Sequence, residues 1–133
     1  MKKVRKHCIV LSLLLVLSFS LAAPAFAADL INTTDINKFE DAGSLRVSWK
    51  VDGVPITTLD MGKLKVTLQR YSGSWVNITT KEVTEYNTTN VDNDLSNYSV
   101  SISGSYRLKM VFEAEDEGET DSLTRYSSSI SVD

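Results

Sequence analysis

The sequence predicts an all-β protein, an antiparallel β-sandwich, and three observations carry that prediction. Apolar and polar residues alternate in several stretches, most clearly at Leu45, Val47, Trp49 and Val51 and again at Tyr106, Leu108, Met110, Phe112 and Ala114. That is the period of a strand with one buried face, and alternation rather than continuous apolar runs is the mark of antiparallel sheets. Turn formers punctuate these stretches at intervals of about ten residues, as sandwiches and barrels require. Beyond the N-terminal apolar segment, no stretch keeps a helical period.

The N-terminus has a different character. Met-Lys-Lys-Val-Arg-Lys opens the chain, an apolar stretch from Ile9 to Leu21 follows, and Ala22-Ala-Pro-Ala-Phe-Ala27 ends it. A basic start, a short apolar run and an A-x-A end form a secretory signal peptide. Residues 1–27 are therefore read as the signal, cleaved after Ala27, with Ala25 the weaker alternative. A spanning helix needs about 20 apolar residues, more than this stretch supplies before Pro24. Cys8 precedes the apolar run, so it is not a lipoprotein's acylated cysteine.

Cleavage changes the composition. The only His and the only Cys, His7 and Cys8, leave with the signal. So do four of the 14 Lys and Arg, which leaves ten basic against 17 acidic residues and a net charge of −7. The expected mature chain of 106 residues is one domain held by its apolar core without disulfides. It shows no basic cluster for phosphates, so nucleic acid is not an expected partner, and membrane contact is expected only during export. Without His or Cys there is no Ser-His-Asp or Cys-His arrangement and no ordinary zinc site, and no cofactor is expected.

Along the mature chain, residues 28–43 are polar and read as an N-terminal arm with an edge strand at 29–36, ahead of a sandwich domain at 44–133. Leu45 to Val51 is the first alternating strand, closed by the turn Asp52-Gly53. Leu64, Val66 and Leu68 mark the second, and Trp75 to Val83 returns from a tip at Ser72-Gly73-Ser74. Residues 87–97 look turn-rich. Tyr98, Val100 and Ile102 begin another alternation, and the clearest strand follows Gly104. An acidic loop spans Glu115 to Thr120. Leu123 to Val132 closes the chain, with Tyr126, Ser128, Ile130 and Val132 in phase. The expected core is Val47, Trp49, Val66, Leu68, Ile78, Val100, Tyr106, Leu108, Met110 and Ile130.

Gly104-Ser-Tyr106-Arg-Leu108-Lys-Met110 resembles the Gly-x-Tyr start of strand F in immunoglobulin-like and fibronectin type III-like domains. The resemblance implies a sandwich of about seven strands in which that Tyr forms a tyrosine corner. The missing disulfide fits the fibronectin-like version better, and Trp49 suits a sandwich-core Trp. Together with Val66 to Trp75 and Tyr126 to Val132, the pattern also resembles small secreted Firmicutes proteins of families of unknown function. It implies no functional residue.

Candidate chemistry is sparse. Glu113, Glu115, Asp116, Glu117, Glu119 and Asp121 crowd one turn. A carboxylate pair could hydrolyse a glycoside across a cleft, but a solvated hairpin loop is the plainer reading. Glu115, Asp116, Glu117 and Glu119 have the charge for Ca²⁺ without EF-hand spacing, and Asp92-Asn-Asp94 is a second small cluster. Asn32, Asn77, Asn87 and Asn97 match N-x-S/T, which a surface rich in Asn, Ser and Thr produces by chance in a chain with a bacterial-looking signal.

The sharpest positive feature is the hairpin aromatics. A three-residue loop at Ser72–Ser74 sets Tyr71 opposite Trp75, Leu68 opposite Ile78 and Val66 opposite Thr80, with the two aromatics outward. As a cross-strand pair they stabilise the hairpin by roughly 0.2–1 kcal/mol; as a platform they bind a sugar ring or a partner. The expected function is a secreted, non-enzymatic binding or interaction module whose target the sequence does not name, with an extracellular protein or glycan as the candidate partner and Tyr71 and Trp75 as its binding residues. The alternatives are a carbohydrate-binding module at the cell wall or on extracellular glycans and, less favoured, a small carboxylate-dependent glycosidase.

Overall fold

A computed structural model of the chain describes residues 29–133. The expected signal peptide, residues 1–27, lies outside the described residues. Every element among them is a β-strand: β1 (Ile31–Asp41), β2 (Arg46–Pro55), β3 (Leu59–Tyr71), β4 (Trp75–Thr88), β5 (Val91–Ser99), β6 (Gly104–Asp116), β7 (Glu119–Tyr126) and β8 (Ile130–Val132). They form two antiparallel sheets. One has the order β1-β2-β5, the other β4-β3-β6-β7, with β8 also paired to β6. The inward faces of both sheets contribute to one buried apolar cluster, an architecture consistent with a β-sandwich.

Alternation places the core. On β6, Tyr106, Leu108, Met110, Phe112 and Ala114 are all buried, and Leu64, Val66 and Leu68 meet them on β3. Val47, Trp49 and Val51 of β2 cover them from the other sheet. Phe112 lies so close to the second sheet that a Cβ on Gly53 would stand 3.0 Å from its ring, and one on Gly62 would stand 2.7 Å from Val91 Cγ2. The tips obey turn chemistry. Glu117 and Gly118 both have positive φ (49° and 80°), as a two-residue hairpin with native twist demands, so the acidic loop is a tight turn with Asp116 opposite Glu119.

Four expectations require correction. Ile78 is 37% exposed and not a core residue. A bulge pairs Leu68 with Thr79 and Gln69 with Asn77, leaving Ile78 as the extra residue, and Val66 faces Lys81 rather than Thr80. The stretch 87–97 is mostly strand β5, because Asn93 is buried with its amide hydrogen-bonded. Val100 is buried but Ile102 is 49% exposed, since β5 ends at Ser99. The closing strand is broken at Ser127–Ser129 into β7 and β8. There Ser127 bridges to β6: its N–H donates to Leu108 O at 2.9 Å, and its Oγ accepts from Leu108 N at 2.8 Å. The break shifts the phase, so Tyr126 faces outward while Val132 is buried and Ile130 half-buried.

The segment expected to be a polar arm carries β1, which extends beyond the edge strand foreseen at 29–36 and pairs with β2 as far as Asp41. Its start is fastened to the second sheet. Asp121 Oδ2, on β7, accepts from the backbone N–H groups of Leu30 at 3.0 Å and Ile31 at 3.1 Å.

Candidate functional site

The outer face of the β4-β3-β6-β7 sheet brings together the side chains best suited to recognition. The hairpin tip has the expected loop: Ser72 N–H donates to Ser74 O at 2.8 Å, Gly73 has φ 74°, and Tyr71 pairs with Trp75. Strand alternation turns both outward with Gln69 and Thr67. Tyr71 is 52% exposed and Trp75 half-buried. Their rings meet edge to face, with centroids 5.3 Å apart and an interplanar angle of 61°, the geometry that ring quadrupoles favour.

Two residues join them that the alternation pattern alone did not single out. Arg107 extends from β6, and its guanidinium carbon lies 4.3 Å from the ring centroid of Trp75 and 4.3 Å from that of Tyr126. The cation is thus stacked against two aromatic faces, an arrangement stabilised by the ring quadrupoles. Tyr126, on β7, is 51% exposed. Behind the stack runs a line of hydrogen bonds: Arg107 Nε donates to Gln69 Oε1 at 2.8 Å, and Gln69 Nε2 donates to Asn77 Oδ1 at 2.9 Å. The Thr67 and Thr80 hydroxyls share a further one at 2.8 Å. Alternation already placed Arg107 on the outer face; its stacking needed the register of three strands. Tyr126 was missed because the Ser127–Ser129 break reverses its phase.

The acidic residues lie at the other end of the same hairpins. Glu113 forms an ion pair with Lys63 at 3.2 Å, and Asp121 is committed to the N–H groups of Leu30 and Ile31. Glu115, Glu117 and Glu119 are exposed and Asp116 half-buried. Among the described residues, no three of His, Cys, Asp and Glu come together in a group that could hold a metal ion. A shallow cavity of about 480 Å³ opens here between Met61, Glu113, Glu115 and Asp121, with two of its three acids already bound to structural partners.

A carboxyl group is perturbed on the opposite sheet. Asp35, Asp52 and Asp92 stand side by side across β1, β2 and β5. Asp52 Oδ1 is buried without a hydrogen-bond donor, and a hydrogen bond joins the Asp92 and Asp52 carboxyls. That hydrogen bond raises the Asp92 pKa above its ordinary value, helped by burial and by the charges of Asp52 and Asp94 and opposed by Lys50.

No protein-family model matches the chain, and no curated protein or solved structure matches it.

Proposed function

We propose that this protein is a secreted, non-enzymatic binding module with an immunoglobulin-like or fibronectin III-like sandwich, and that it binds through the Tyr71–Trp75 face. The observation that carries this reading is the outward aromatic pair at the hairpin tip, since large aromatics are enriched at binding hot spots. The fold assignment draws on the strand order. The first, second and fifth strands share one sheet and the third, fourth, sixth and seventh the other, in keeping with the A-B-E and C′-C-F-G division of such domains. It also draws on Tyr106, whose hydroxyl donates to Ile102 O as a tyrosine corner does. Export rests on the signal-like N-terminus, and the non-enzymatic reading on the lack of His and Cys after Cys8.

A carbohydrate target is the favoured form of this reading, because the exposed Asn77 and Thr80 on the same face, held by hydrogen bonds to the buried Gln69 and Thr67, suit the hydroxyls of a sugar. The test compares retention of extracellular polysaccharides and proteins by the wild-type protein and by a Tyr71→Ser/Trp75→Ser variant with an unchanged melting curve. Loss of retention in the variant is expected; equal retention overturns the proposed surface. Intact-mass measurement of the exported protein is expected to give an N-terminus at Ala28.

A further inference from the structure

We infer that the ligand of this face is a carboxylate-bearing polysaccharide, a uronate chain, and that Arg107 is its charge-reading residue. The inference rests on the proposed binding face and deepens it. Its starting point is that Trp75 does not offer both ring faces to a sugar, because the guanidinium of Arg107 covers one of them. The centre of the patch is therefore a cation held between two rings.

A guanidinium has five N–H donors in a rigid fork. In Arg107 the Nε–H is used on Gln69. Among the described residues, its two Nη groups find no hydrogen-bond acceptor, and Arg107 is in none of the ion pairs, which are Lys38–Glu40, Lys63–Glu113 and Lys65–Glu82. Trp75, Tyr126 and Gln69 fix the plane, so the remaining edge is preorganised for the two oxygens of a carboxylate. Ordering a free arginine side chain on binding costs conformational entropy; here the stack already holds it.

Charge placement supports an anion. The chain is acidic, yet on β6 and β7 every acid lies at the turn between them, away from Arg107. Glu113 is six positions from Arg107 on β6, about 20 Å at the rise of a strand and beyond a physiological screening length. Lys109 lies on the same face, two positions from Arg107 on β6 and opposite Tyr126. What selects a sugar over an acidic peptide is the company of the arginine. Tyr71 and Tyr126 are exposed, and Asn77 and Thr80 are exposed beside them on β4, held by hydrogen bonds to the buried Gln69 and Thr67. A repeating hydroxylated ring with a carboxylate matches both features. An extended peptide would seek an unpaired strand edge, whereas the site lies on the sheet's face, centred on the interior strands β3 and β6.

The experiment is titration calorimetry of the purified protein with tetragalacturonate, a neutral tetragalactose chain and a poly-glutamate peptide. Tetragalacturonate is expected to bind at least tenfold more tightly than either of the others, and more weakly as salt rises. Arg107→Gln is expected to lose at least tenfold for tetragalacturonate. Arg107→Lys, which keeps the charge and lacks the fork, is expected to recover only part of it. Melting curves of both variants show whether the domain is intact, and the Lys variant keeps the test valid if the Gln variant unfolds. Equal binding of the neutral chain overturns the uronate assignment while leaving the binding face standing. Equal binding of poly-glutamate overturns the sugar. No binding of tetragalacturonate overturns the inference outright, and the retention comparison then judges the face separately.

Discussion

The indole N–H of Trp49 donates to Asn93 Oδ1 at 3.1 Å in the buried core. From there Asn93 Nδ2 donates to Leu64 O at 2.9 Å and Lys81 O at 2.8 Å. Trp49 and Asn93 belong to the β1-β2-β5 sheet; Leu64 and Lys81 belong to the other. One fully buried amide thus ties the two sheets together and satisfies the only polar group of the largest core side chain. Asn93→Leu leaves the indole N–H without its acceptor and removes a bond from each carbonyl. At about 1–3 kcal/mol for each buried group left unpaired, a loss of roughly 3 kcal/mol is expected in urea denaturation. A loss below 1 kcal/mol would mean that water replaces the amide.

The bulge in β4 makes a paired prediction. Leu108 is fully buried, and Leu108→Ala is expected to cost about 2–5 kcal/mol. Ile78 is the extra residue on the exposed side of the bulge, and Ile78→Ala is expected to stay within about 0.5 kcal/mol. A large loss for Ile78→Ala would restore the unbulged register.

The contrast between these two residues shows how far the sequence was legible. β6 was readable because five successive inward positions are apolar and their alternates, Val111 apart, are polar. Val76 and Ile78 share a phase, and the sequence holds no sign that a bulge separates Ile78 from the core. Asn93 reads as a turn residue in isolation; only the facing carbonyls of Leu64 and Lys81 make it a core residue. The Tyr71–Trp75 pair was legible from the short loop between its members. Arg107 was legible as an outward residue but not as the centre of a stack, because Trp75, Gln69 and Tyr126 come from three other strands. Tyr126 needed the break at Ser127–Ser129, which looks like an ordinary run of serines.

Removing the hydroxyl of Tyr106 tests its hydrogen bond to Ile102 O. The ring is buried, and its hydroxyl donates to Ile102 O. Burial raises the phenol pKa above its ordinary value, with Arg70 opposing. Tyr106→Phe keeps the ring and loses the hydrogen bond, for an expected cost of about 1 kcal/mol in chemical denaturation. The raised pKa means that the folded state holds the proton longer than the unfolded one. That contribution is present below the ordinary tyrosine pKa of 10.0 and is lost as pH rises through the folded value. The wild-type protein should therefore weaken in alkali more steeply than the Phe variant.

The aspartate row gives a second pH dependence, of the same sign for a different group. The folded state raises the Asp92 pKa, so it binds more protons than the unfolded state in the window above 3.8, the ordinary value. Linkage then makes stability fall as pH rises through that window. Asp92→Asn removes the charge and keeps a donor for Asp52 Oδ1. It is expected to melt higher than wild type at pH 7 and to lose that advantage as pH falls below 3.8. An advantage unchanged by pH would show that the two carboxyls do not share a proton.

Fluorescence tests the aromatic stack in the unliganded protein. The chain has two tryptophans, and they differ in surroundings: Trp49 is buried, whereas Trp75 is half-buried and covered on one face by Arg107. Replacing Trp49 to isolate Trp75 would orphan Asn93, so the cleaner variant is Trp75→Phe. It should leave a blue emission resistant to acrylamide, from Trp49 alone. The difference from wild type then reports Trp75 and should be redder and readily quenched. Arg107→Ala uncovers a ring face and should increase that quenching without altering the Trp49 emission. If Trp75 is instead as protected as Trp49, the hairpin tip is packed against something, and neither the aromatic pair nor the stacked arginine is open to a ligand. If Arg107→Ala leaves the quenching of Trp75 unchanged, the guanidinium does not cover the ring in solution, and the preorganisation on which charge reading depends is absent.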